Sequence, residues 1–131
     1  MKVLALDFGS ARTGVAVSDP TGTLARPLAV VERAGTQKGL AEVLRLVREQ
    51  QAEKVVVGLP LTLRGTAGEQ AIEAERFADA LREALDVPVV LYDERFTTDL
   101  AQQTPSSAPE DALAAAHLLS SYLTWQSPAT A

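Results

Sequence analysis

A chain of 131 residues, 47% of them apolar, has room for one hydrophobic core and is too hydrophobic to stay disordered. With no cysteine there are no disulfides and no thiolate metal sites, and no apolar run reaches membrane-spanning length, so a soluble cytoplasmic protein is expected. A formal charge of −5 counts against indiscriminate nucleic-acid binding, which uses a basic face.

The first element is the apolar run from Val3 to Asp7, followed by a glycine-containing turn and a second run over Gly14 to Val17. Alternation places Asp7 with Val3 and Ala5 on one face, opposite Leu4, Leu6 and Phe8. A carboxylate on a hydrophobic strand is costly unless a cation or donors receive it. A divalent metal, a nucleotide phosphate held through Mg²⁺, or a structural hydrogen-bond network would each meet that need.

Asp19-Pro20-Thr21-Gly22 reads as a hairpin turn, and Leu24 to Glu32 as a third strand weakened at Pro27. Thr36 is the expected N-cap of a helix whose stripe is Leu40, Val43, Leu44 and Val47. Lys54 to Leu59 has the continuous apolar character of a strand buried on both faces. The capping-box spacing of Thr66 and Glu69 predicts the start of a second helix with Ala74, Phe77, Ala78, Leu81 and Leu85 inward. Val87 to Glu94 is the expected fifth strand, and Thr97 to Gln103 a short helix. A second capping box, Ser107 to Glu110, opens a last helix running to about Trp125. This order implies an α/β fold. Its mixed five-stranded sheet joins an antiparallel three-strand meander to parallel strands, with helices on both faces. Residues 1–126 form one domain in this reading, and 127–131 a flexible tail.

Three acids fall at element ends: Asp7, the Asp93-Glu94 pair, and Asp111 in the first turn of the last helix. Asp111 shares a face with Ala114, Ala115, Leu118 and Tyr122, which points it towards the strand ends. Alternation lets only one of Asp93 and Glu94 join Asp7. Glu94 is assigned to the site, and Asp93 to bracing the loop or supporting a ligand. Three converging carboxylates repel unless cations sit among them, and an all-oxygen set suits Mg²⁺ or Mn²⁺. One ion would serve, or two about 4 Å apart, which can activate water and stabilise the leaving oxygen in phosphodiester hydrolysis. Arg12, Arg64 and Arg95 sit in adjoining turns, where they clamp phosphates or form surface ion pairs. His117 is expected at the surface, and Tyr122 and Trp125 in packing.

The stretches from Asp7 to Asp19, Val57-Gly58-Leu59-Pro60-Leu61 with Gly65-Thr66, Asp93 to Thr98, and Asp111 to Ala115 occur in an order that resembles the bacterial YqgF (RuvX) family. The resemblance implies an RNase H-like fold and a metal-dependent nuclease with Asp7, Glu94 and Asp111 as catalytic and metal-binding acids. It also implies work on the 5′ end of pre-16S rRNA, with Holliday-junction resolution as the alternative, and association with a pre-ribosomal particle. The chain departs from the family in the short, non-basic stretch Gln103 to Pro109, and in Thr62-Leu63-Arg64-Gly65 where Asn-Met-Asp-Gly is common. Both departures bear on substrate contacts, so weak binding of RNA or DNA by the isolated protein is expected. Resolvases of the related RuvC type carry a further acid at the position of Ala114. Two other classes compete. Actin-like ATPases share the opening stretch but need a second lobe, for which 131 residues leave no room. A non-catalytic nucleic-acid-binding module would keep the fold without the cleavage.

Overall fold

The computed structural model describes residues 1–62, 64–65, 68–97 and 108–126. Five strands, β1 (Val3–Asp7), β2 (Arg12–Ser18), β3 (Ala25–Glu32), β4 (Lys54–Leu59) and β5 (Val89–Asp93), form one sheet in the order β3-β2-β1-β4-β5. β1 to β3 pair antiparallel, and β4 and β5 extend the sheet parallel to β1. Helices α1 (Gln37–Glu49) and α2 (Glu69–Ala84) provide the crossovers, and α3 (Glu110–Gln126) closes the order. No described helix is long and apolar enough to cross a membrane.

Period-two patterning divides the core between the two faces. Leu4, Leu6, Val15, Val55 and Val57 face the helices α1 and α2, where they meet Val43, Phe77 and Leu81. Val3, Ala5, Ala16, Val56 and Tyr92 face α3 and pack on Ala115, Leu118, Leu119 and Tyr122. Val55, Val56 and Val57 are all fully buried, because helices cover both sides of β4. This partition sends Asp7, in phase with Val3 and Ala5, to the α3 side.

Local signals behave largely as their chemistry requires. Gly22 N–H donates to the Asp19 carbonyl at 3.0 Å, with Gly22 at φ 72°, and closes the β2–β3 hairpin. Pro27 lacks the N–H that a ladder needs, and the pairing slips beside it, between Val15 and Ala16. Thr36 caps α1 by accepting from Gly39 N–H at 3.1 Å.

Two expectations need correction. α2 starts at Glu69 with Gly68 as its cap and no side-chain capping bond, and Thr66, the expected cap, lies outside the described residues. Glycine is an acceptable N-cap because it reaches the extended conformation at little cost. The fifth strand ends at Asp93, and Glu94–Phe96 form a single 3₁₀ turn with Thr97 behind it. Asp93 ends the strand itself, because its carboxylate accepts from the backbone N–H of Arg95 at 2.9 Å and curls the chain. The rest of the expected helix from Thr97 to Gln103, the Ser107 cap and the tail 127–131 lie outside the described residues.

Candidate active site

β1 carries Asp7 to the edge of the sheet, and Glu94 follows directly on β5 at the same edge. β4 lies between these strands, and its registers, Leu6 with Val57 and Gly58 with Tyr92, put Gly58 beneath the two acids. A Cβ at Gly58 would stand 2.9 Å from Glu94 Oε1 and 3.0 Å from Leu118 Cδ2. The glycine thus clears a path along which the Glu94 side chain reaches Asp7. Glu94 is hydrogen-bonded to Asp7. Burial first, then that hydrogen bond and the charges of Asp7 and Asp93, push the Glu94 carboxyl up to about 8. At neutral pH it keeps its proton and donates it to Asp7.

Asp93 turns the other way. Its oxygens accept from Arg95 Nε at 2.9 Å and Nη2 at 2.6 Å. These bonds to Arg95 hold its carboxyl below the usual range. The neighbouring acids therefore differ in state as well as direction, one neutral and turned inward, one ionised and clamped.

Asp111 approaches from the helix layer. Its backbone carbonyl lies directly over Gly14, where a Cβ would fall 1.8 Å from the oxygen. The side chain pairs with Arg12, Nε to Oδ2 at 3.1 Å, and remains 41% exposed. Arg12, at the start of β2, is the cation that receives it. Among the described residues, no three His, Asp or Glu side chains stand together as one metal-holding group. The structure joins two of the three expected acids and holds the third on an arginine.

The three candidate phosphate clamps differ in availability. Arg12 is engaged by Asp111. Arg95 is engaged by Asp93 and lies against Gly65, whose Cβ position is 3.3 Å from Nη1. Arg64 is exposed in the turn closed by the Gly65 N–H to Thr62 carbonyl bond of 2.8 Å. His117 is half-buried along α3, and Trp125 is exposed. Gly14 and Gly58 went unnoticed in the sequence as site residues. Their signal was a glycine inside a β-branched run, which marks close approach of another group.

The RuvX family profile, described as Holliday junction resolvase, matches residues 1–125. The chain belongs to the RuvX family. Relatives in Syntrophomonas wolfei (39% identical, covering 94% of each chain) and Chloroflexus aggregans (41% identical, covering 92% of each) are named as candidate pre-16S rRNA nucleases. A Listeria innocua relative with the same name is 39% identical over 94% of this chain and 97% of its own. Among solved structures, Thermus thermophilus RuvC in complex with a Holliday junction substrate superposes with a TM-score of 0.64. That match covers 96% of both chains at 22% identity, and it establishes the RNase H-like fold. Fowlpox virus resolvase, with its junction DNA, matches at a TM-score of 0.58 over 95% of this chain and 98% of its own, at 14% identity. In RuvX terms, the four stretches singled out in the sequence all fall within the matched span.

The donor chemistry of the pair fits a hard divalent cation. Asp7 and Glu94 offer only oxygen, and two carboxyl groups this close repel when ionised unless a cation or a proton lies between them.

Proposed function

We propose that this RuvX protein is a divalent-metal-dependent nuclease that hydrolyses a phosphodiester bond in RNA, at the 5′ end of pre-16S rRNA in the cytoplasm. The observation that carries the reading is the half-buried contact of Glu94 with Asp7 across Gly58 at the sheet edge. Two carboxyl groups held this close over a glycine gain nothing for stability that an apolar pair would not give, and such pairs cluster at functional sites. The names of relatives near 40% identity support the substrate.

Asp7 and Glu94 would hold Mg²⁺ or Mn²⁺, with Asp111 as the third ligand. The bound ion would supply a polarised phosphate and a water of lowered pKa. The protein's own part is then threefold. Glu94 gives up the proton it shares with Asp7, leaving both carboxylates free to bind. Arg12 exchanges Asp111 for a substrate phosphate, a change of partner that an exposed ion pair allows at small cost. Asp93 and Arg95 keep the 3₁₀ turn closed, so that Glu94 stays aimed at Asp7.

Cleavage of a panel with and without Mn²⁺ tests the reading: a pre-16S leader RNA, single-stranded RNA, single-stranded DNA and a four-way junction. Mn²⁺-dependent cut of the leader, lost in Asp7→Asn, is the expected result. The description of the family favours a second reading, junction resolution, which requires symmetric cuts in the four-way junction in preference to the leader. No cleavage of any member would leave the non-catalytic module.

A further inference from the structure

On the sheet face opposite α3, a cleft of about 410 Å³ opens between the 8–11 turn, the start of α1 and the first half of α2. Its floor is apolar, with Leu40 beside Phe8 and Phe77, whose rings stack at 4.6 Å between centroids. Its rim carries two guanidinium groups, Arg33 and Arg76, against one carboxylate, Glu73. Arg12, Arg45, Arg82 and Arg95 are tied to acids, while Arg26 and Arg48, like the two at this rim, form no ion pair among the described residues. Neither Arg33 nor Arg76 has a side-chain partner among the described residues, although the chain carries an excess of acid.

Arg33 is also held in place with unusual firmness. It adopts φ 48°, uncommon for any residue but glycine. Its N–H donates to the Ala11 carbonyl at 2.9 Å, and its own carbonyl accepts from Thr36 N–H at 3.0 Å and Thr36 Oγ1 at 2.7 Å. The first bond ties it to the turn that also carries Asp7 and Phe8. Asp7 points to one side of the sheet and Phe8 to the other. The cleft and the acid pair are therefore the two flanks of one turn.

We propose that this cleft is a nucleotide subsite, taking one unpaired nucleotide of a single-stranded nucleic acid. The base lies on Phe8 and Leu40, with the buried ring of Phe77 stacked beneath Phe8, and the phosphate lies between Arg33 and Arg76. The charge is complementary, an aromatic and aliphatic floor accepts any base, and the volume is of ligand-pocket size. A duplex is too thick to insert a base here without unpairing it, so the subsite selects single strands. The proposal rests on the nuclease reading for its purpose, but its binding can be measured without cleavage.

Fluorescence anisotropy of a labelled single-stranded oligoribonucleotide, with the full chain in EDTA, provides the test. Arg33→Gln with Arg76→Gln should weaken binding about tenfold and flatten the salt dependence by about 1.4 in log–log slope, two contacts of about 0.7 each. Ala80→Phe, on the cleft wall, should weaken binding by filling the space while leaving the salt slope unchanged. Unchanged affinity in both variants with native melting, or equal competition by duplex, would overturn the subsite. Loss of binding in the variants alongside a wild-type protein that cuts nothing with Mn²⁺ upholds the subsite and removes the nuclease reading. Cleavage with unaffected binding in the variants does the reverse.

Discussion

Glu94 reaches across Gly58 to hydrogen-bond Asp7, so carboxyl groups from β1 and from the turn after β5, strands that are not neighbours, meet over the one residue of β4 without a side chain. The contact depends on a proton, and its pH dependence follows. The Glu94 carboxyl is raised from 4.5 to about 8 by burial and by Asp7. Between those values the unfolded chain has released the proton and the folded chain retains it, so stability falls as pH rises.

Metal-free protein should therefore lose stability progressively from about pH 5 to pH 8 and level off above. Each unit of the rise is worth about 1.4 kcal/mol, so the total is on the order of a few kcal/mol. Carboxylates shifted the other way, Asp93 and Glu42 among them, have completed their contribution below that window. Urea midpoints across the range measure it, and Glu94→Gln should flatten the curve. A wild-type curve already flat from pH 5 to 8 would show that Glu94 is ionised throughout. Mn²⁺ competes with the same proton, so its affinity should climb with pH up to about 8.

Glu94 and Asp93 should respond differently to the same loss of charge. Glu94→Gln keeps a donor towards Asp7, so melting temperature at pH 8 should hold or rise, while Mn²⁺ binding and cleavage are suppressed. Asp93→Asn weakens the fork to Arg95 and the cap of the 3₁₀ turn, and should cost about 1–3 kcal/mol with metal affinity less affected. Calorimetric Mn²⁺ titration and thermal melts of both variants decide it. The reversed pattern would place Asp93 in the site.

The two glycines predict a graded series. Ala at position 14 would put Cβ 1.8 Å from the backbone carbonyl of Asp111, an atom that moves only with the helix. Ala at position 58 would meet Glu94 Oε1 and Leu118 Cδ2 at 2.9 and 3.0 Å, both on side chains that can rotate. Gly58→Ala should cost about 1–3 kcal/mol and abolish cleavage by displacing Glu94, and Gly14→Ala should cost more. Equal melting of both variants with wild type would show that α3 sits further from the sheet.

How far the sequence could be read depended on how local the determinants were. The antiparallel meander and the two-sided core follow from turn residues and alternation, properties of neighbouring residues alone. Glu94 meets Asp7 although the strand stops one residue earlier, so strand alternation is not what brings it there. The pairing of Asp111 with Arg12 was not legible, since it depends on where two residues far apart in the chain meet in space. The start of α2 was misread because a glycine cap leaves no side-chain signature. The cleft of Arg33 and Arg76 joins residues far apart in the chain, and no motif carries it.

Arg12 provides the last prediction. Its pair with Asp111 is exposed on both sides, 65% and 41%, and such pairs contribute about 0–1 kcal/mol. Arg12→Gln should therefore leave melting within about 1 kcal/mol of wild type. If the arginine withholds Asp111 from the metal until substrate arrives, its removal frees the carboxylate, and Mn²⁺ should bind several-fold tighter. The same variant loses one phosphate contact, so KM for RNA should rise and the salt dependence of binding should become shallower. The two effects have opposite signs, and a general structural defect would not produce them together. Weaker Mn²⁺ binding in Arg12→Gln would mean that Arg12 orients Asp111 for the metal, and the exchange of partners would then be excluded.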